Sequence, residues 1–150
     1  MMKSLVTKES NQEVIDRINK LSPESKPLWG KMNSGQMLAH CTVGLRIANG
    51  EIIPKSNFVF KLLGRMVKNR IISQDNFKKN SRTAKEFIIA NDKIFIDEKE
   101  TIINYLKEME VKGYNFFTKK PHAIFGHLTP EEWDLISFKH FDHHLKQFGV

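Results

Sequence analysis

Three of the chain's six histidines fall within five residues near its end, in the run Lys139-His140-Phe141-Asp142-His143-His144. On a helix, His140 and His144 lie one turn apart on the same face, so their imidazoles can converge on one point. This is the spacing with which a helix offers two nitrogen ligands to a metal ion. Residues three apart also share a face, which leaves His143 as an alternative to His144. The plainer alternative is a solvated cluster or a pair of hydrogen-bonded core histidines. A third histidine, His40, favours the metal if the fold brings it to the same place. Asp142 falls on another side of the helix, which makes it a poor base for chemistry at the pair.

The helix that must carry the pair has the best-defined start in the chain. Thr129-Pro130-Glu131-Glu132 combines a capping threonine, a proline at the first helical position and a glutamate that completes a capping box, predicting a helix from Pro130 to Phe148. His40 sits inside a second helical pattern, Met37, Leu38, Cys41, Leu45 and Ala48, opened by Asn33 with Gln36 and closed near Asn49-Gly50. It shares a face with Met37 and Gly44. Cys41 points about 100° away around the helix and reads as a small buried hydrophobe.

Two more helices complete the frame. Ser10-Asn11-Gln12-Glu13 reads as a capping box leading into Val14, Ile15, Ile18 and Leu21, stopped by Ser22-Pro23. Asp92 reads as the cap of a long helix with the stripe Phe95, Ile102, Leu106 and Met109, flanked by Ile103 and ended by Gly113. With no convincing hairpin, the fold class expected is all-α: a four-helix bundle, one domain over 1–150, with a long crossover between its second and third helices. Bundles build metal sites from facing helices, so His40, His140 and His144 would supply three nitrogens. Three ligands plus water is the composition of a catalytic rather than a structural metal site. Trp29, in the loop after the first helix, is expected to pack over the end of the bundle.

The crossover, Glu51 to Asn91, is too long to be structureless, and 58–68 reads as a short amphipathic helix with a basic face, covering the bundle. Between Lys55 and Arg82 eight basic residues (Lys55, Lys61, Arg65, Lys68, Arg70, Lys78, Lys79, Arg82) face one acid, Asp75, a surplus equal to the chain's net charge of +7. Such a segment can attract nucleic acid, anionic lipid or a small anionic substrate. No recognised nucleic-acid module accompanies it, which disfavours nucleic acid. One cysteine allows no internal disulfide, and the opening Met-Met-Lys-Ser-Leu-Val lacks the apolar core of a signal peptide. Both predict a cytoplasmic protein, and no apolar run is long enough for a membrane span.

Trp29-Gly30-Lys31-Met32-Asn33, Met37-Leu38-Ala39-His40-Cys41, Leu128-Thr129-Pro130-Glu131-Glu132-Trp133 and the ending from Lys139 to Val150 resemble the DinB-like superfamily, within it a small branch of unassigned function. The resemblance covers nearly the whole chain. It implies a four-helix bundle with a three-histidine metal site at His40, His140 and His144, and it prefers His144 over His143. Better-known relatives are metal-dependent enzymes that transfer or isomerise with low-molecular-weight thiols such as bacillithiol or mycothiol, and hydrolases are assigned among them.

The first functional expectation is therefore a metal-dependent thiol S-transferase or hydrolase. Its divalent ion would be zinc or nickel foremost, with manganese or iron compatible, and would activate a thiol or water. His122 and His127, just before the last helix, are the candidate catalytic acid–base groups, each with a surface or structural role as its alternative. The basic segment would draw in an anionic thiol, provided it lies at the histidine end of the bundle. The second expectation is a non-catalytic protein that uses the basic 55–82 segment to bind nucleic acid or a protein partner. A homodimer is compatible with either, though the chain marks no interface.

Overall fold

The computed structural model of the chain describes residues 3–55, 58–73, 77–81, 85–122 and 125–150. Among these residues are five α-helices: α1 (Lys8–Asn19), α2 (Ser34–Ala48), α3 (Phe58–Ser73), α4 (Phe95–Lys112) and α5 (Pro130–Gln147). Short 3-10 turns occupy Lys85–Phe87 and Gly113–Phe116. Among the described residues the only β feature is an isolated antiparallel bridge between His122 and Gly126. The fold is an all-α bundle. Helices α1 and α2 each pack on both α4 and α5, which sets α1 opposite α2 and α4 opposite α5, while α3 lies in the crossover and packs on α5.

The apolar stripes meet at the centre. Val14 and Ile18 of α1, Met37, Leu38 and Leu45 of α2, Ile102, Leu106 and Met109 of α4, and Phe141 and Leu145 of α5 are all at most 2 % exposed. Each such side chain contributes roughly 1.5–3 kcal/mol through burial. No described helix is long and apolar enough to cross a membrane.

Two of the four predicted helix starts are in place. Asn33 and Gln36 form a reciprocal capping box on α2, and Thr129 and Glu132 form one on α5 with Pro130 in its first turn. The other two are corrected. Helix α1 begins at Lys8 with Thr7 as its cap, so Ser10 lies inside the helix. Asn11 explains the shift: fully buried, it donates from Nδ2 to the carbonyls of Leu5 (2.6 Å) and Leu106 (2.8 Å). Those bonds tie the chain before α1 to α4 and outweigh the local box. Helix α4 begins at Phe95, capped by Ile94 without a side-chain bond, and Asp92 instead accepts from Asn33 Nδ2 at 3.4 Å. The backbone before α4 crosses the start of α2 so closely that a Cβ on Gly35 would sit 2.8 Å from the Lys93 carbonyl. That crossing keeps Asp92 out of the helix.

Helix α3 runs five residues beyond the predicted 58–68 segment, to Ser73. Lys139 of α5 donates to its last carbonyls, at Ile71 (2.7 Å) and Ile72 (3.1 Å), which places a cation on the negative end of the helix. The side chains of Lys61 and Arg65, and Asp75 and Arg82 altogether, lie outside the described residues. Of the basic face, Lys68 pairs with Glu132 at 2.8 Å, fastening α3 to the start of α5.

Candidate metal centre

Helices α2 and α5 pack side by side, and their seam brings His40 to His140 and His144. One ring nitrogen from each of the three lies within 4.8 Å of the others. His40 Nε2 and His140 Nε2 are 2.9 Å apart, although the residues are 100 positions apart in the chain. Nitrogens bound to one ion at about 2.0–2.1 Å are about 2.9 Å apart at a right angle and about 3.4 Å apart at a tetrahedral one. The closest pair thus already has ligand spacing. His40 and His144 are buried and His140 is partly so.

The outer nitrogens are held. His40 Nδ1 lies 2.8 Å from the carbonyl of Phe87. A carbonyl only accepts, so Nδ1 carries the hydrogen and the lone pair of neutral His40 is on Nε2, facing His140. The 2.9 Å contact is then either a hydrogen bond donated by His140 or a pair of bare nitrogens ready for a cation. His144 Nδ1 lies 2.8 Å from Gln147 Oε1, and Gln147 Nε2 donates to the Trp29 carbonyl at 2.6 Å. A metal-binding histidine characteristically donates its other N–H in this way, which fixes both tautomer and ring direction.

The electrostatics favour neutral rings. Burial lowers His40 below the ordinary histidine value, against a smaller upward pull from Phe87 and a further lowering by His143. Burial, then the neighbouring His144, His40, His143 and His122, holds His140 well below it. Burial, helped by His40, takes His144 to about 3. Each imidazole therefore keeps a lone pair at neutral pH. Three converging neutral nitrogens with no acid among them fit a divalent transition metal.

Above the histidines lies an aromatic cover. The rings of Phe77 and Phe87 stand edge-on to His140 at 6.1 and 6.0 Å, and Trp29 stands edge-on to His143 at 5.8 Å. Lys79 Nζ lies 4.1 Å over the Trp29 ring, a cation–π contact. Trp29 thus packs against the histidine run of α5, and Phe77 and Phe87, crossover residues beyond the 58–68 segment expected to cover the bundle, lie against His140. Gly44, one turn beyond His40, makes room beneath: a Cβ there would meet His140 Nδ1 at 3.3 Å.

The remaining predicted residues separate. His143 turns from the trio toward Trp29 and Phe77 and donates to the Phe77 backbone, so His144 is the partner of His140 at the cluster. His122 is buried, stacked on Phe125 at 4.4 Å and tilted against Trp133 at 5.1 Å; burial pushes it down to about 4. It is outside the trio, although its charge is felt at His140. His127 is exposed, and its carbonyl accepts from Lys68 at 3.1 Å. Asp142, as its helix position predicts, faces elsewhere: Arg17 at 2.9 Å and Lys146 at 2.6 Å hold it. Buried Cys41, its thiol pushed far up by burial, is a core residue.

Sequence reasoning missed Phe87, Phe77 and Gln147. Gln147 carried a signal, three residues after His144 on the same helix face. The carbonyl of Phe87 carried none, since a backbone acceptor leaves no mark on residue type.

Residues 2–149 match the family described as Protein of unknown function (DUF1569). The chain belongs to that family. No curated protein and no solved structure matches it. Within the family description no activity is assigned, so the chemistry must be read from the three histidines and their cover.

Proposed function

We propose that this chain is a metal-dependent enzyme of the DinB-like kind, a single cytoplasmic domain whose His40, His140 and His144 hold a divalent transition metal, zinc or nickel foremost. The observation that carries this reading is the convergence of three neutral imidazoles, two with their outer nitrogens already committed to fixed acceptors. When bound, such an ion lowers the pKa of a coordinated thiol or water and so provides a nucleophile near neutral pH. The reaction proposed is transfer to or from a low-molecular-weight thiol, or hydrolysis.

The chain's own residues supply the rest. Phe77, Phe87 and Trp29 stand against the histidine cluster and limit its contact with bulk water. Lys79, at the rim, offers a positive charge to an anionic thiol. His122 accepts from the Phe125 N–H at Nδ1 (3.2 Å), so its Nε2 carries the hydrogen and its proposed role is that of a donor. His127, on the surface, has the weaker claim. The rival use of the basic segment for nucleic acid gains nothing from Lys68, whose charge is paired with Glu132.

The test is elemental analysis of the untagged protein beside His40→Ala and His140→Ala. The expected result is about one equivalent of transition metal in the parent, lost in both variants. A parent that neither carries nor takes up zinc or nickel overturns the reading.

A further inference from the structure

Gln147 is 4 % exposed and is held at both ends of its side chain. Its Nε2 lies 2.6 Å from the carbonyl of Trp29 and its Oε1 lies 2.8 Å from His144 Nδ1. The first contact decides the second. A backbone carbonyl only accepts, so the amide must turn its NH₂ toward Trp29 and its oxygen toward His144. That oxygen also only accepts, so His144 Nδ1 must carry the hydrogen, and the lone pair of the neutral ring is on Nε2. The Trp29 carbonyl thereby selects, through one amide, the tautomer of His144 that can bind a cation at Nε2.

The loop is shaped for this contact. Gly30 has φ +84°, where other residues are strained, and a Cβ there would fall 2.5 Å from Gln147 Nε2. The Leu28 N–H donates to the Gln147 carbonyl at 2.7 Å, so the loop is fastened to this residue by main chain and side chain alike. The loop also carries the Trp29 ring that stands against His143.

We propose that Gln147 is a positioning residue that makes the metal ligand His144 and the Trp29 cover one hydrogen-bonded unit, so that metal binding and closure of the cover favour each other. This rests on the metal-centre reading above. The coupling is reciprocal: whatever orders the loop tightens metal binding, and the metal orders the loop.

The substitutions Gln147→Leu and Gln147→Glu separate the two halves of the role. Leu removes both contacts, whereas Glu keeps an acceptor for His144 and loses the donor to Trp29. Cobalt(II) titration, read by its visible spectrum, measures affinity; hydrogen exchange of 28–31 with and without zinc measures closure. In the parent, zinc is expected to slow exchange in 28–31. Gln147→Leu is expected to bind cobalt roughly 10–100-fold more weakly. Gln147→Glu is expected to bind within about threefold of the parent, the change left when the acceptor survives, yet to lose the zinc response in 28–31. Equal weakening in both variants, or parent-like affinity in Gln147→Leu, overturns the proposal. If circular dichroism shows that Gln147→Leu does not fold, parent against Gln147→Glu decides: a loss of about tenfold or more in affinity, or a retained zinc response, overturns it. A parent that takes up neither cobalt nor zinc shows instead that the metal-centre reading itself has failed.

Discussion

At the scale of single residues, the site depends as much on what is small or outward-facing as on the ligands. Gly44 is the clearest case. Replacing it with Ala improves helix propensity by roughly 0.5–1 kcal/mol but places a methyl group 3.3 Å from His140 Nδ1. The expected outcome for Gly44→Ala is a metal-free protein at least as heat-stable as the parent with weakened zinc affinity; unchanged affinity by competition titration would show that His140 has slack. The neighbouring histidines divide sharply. His144→Ala should abolish stoichiometric metal, whereas His143→Ala should retain it, because His143 faces Trp29 and Phe77. Elemental analysis of the two variants checks this, and retention in the first with loss in the second would reverse the ligand assignment. At this scale the convergence of His140 and His144 was legible because a four-residue spacing on a helix dictates a shared face. His40 was legible as a third nitrogen only through the expected bundle and the resemblance, because no local spacing links it to His140, 100 positions away.

At the scale of elements, helix ends with two reciprocal side-chain bonds were readable and those set by tertiary contacts were not. Asn33 and Thr129 cap where local chemistry says they should. Asn11 was misread as part of a cap because nothing local shows that its amide joins Leu5 to Leu106. Its importance is testable: Asn11→Leu leaves two carbonyls without their donor and should cost roughly 2–4 kcal/mol, read from urea unfolding midpoints. A cost below about 0.5 kcal/mol would mean that water replaces the amide. Between α1 and α5, Arg17 meets Asp142 with both side chains largely shielded. Burial opposes ionisation of Asp142, but Lys146 and Arg17 outweigh it and hold the carboxyl below its usual range. Removing one partner of a shielded pair leaves the other uncompensated. Arg17→Met is therefore expected to destabilise by about 1–3 kcal/mol at pH 7, with the loss shrinking as acid protonates Asp142.

At the scale of the whole molecule, the buried histidines set the response to acid. His40, His122, His140 and His144 all lie below the ordinary value, with burial the leading cause in each. As pH falls below about 6.5 the unfolded chain takes up protons that the folded chain refuses. The stability of the metal-free protein is therefore fully present above that pH and is lost progressively on the way down. His122 alone, depressed to about 4, accounts for a loss on the order of 3 kcal/mol across that window. Unfolding midpoints that stay level from pH 7 to pH 5 would contradict this. The bundle class was legible from four apolar stripes. The folding of the crossover back over the histidines was not, since only contacts such as Phe77 and Phe87 on His140 reveal it.

The separation of His40 from His140 along the chain has a consequence for the unfolded ensemble. An ion gripped by both would pin together the ends of a loop of 100 residues and restrict the freedom that unfolding releases. A covalent link across a loop of that length is worth roughly 4–5 kcal/mol in chain entropy. An ion released on unfolding acts instead by mass action, about 3 kcal/mol at a hundred times its Kd. The ion would thus serve as a removable cross-link, and a chelator would do to this bundle what a reductant does to a disulfide-tied protein.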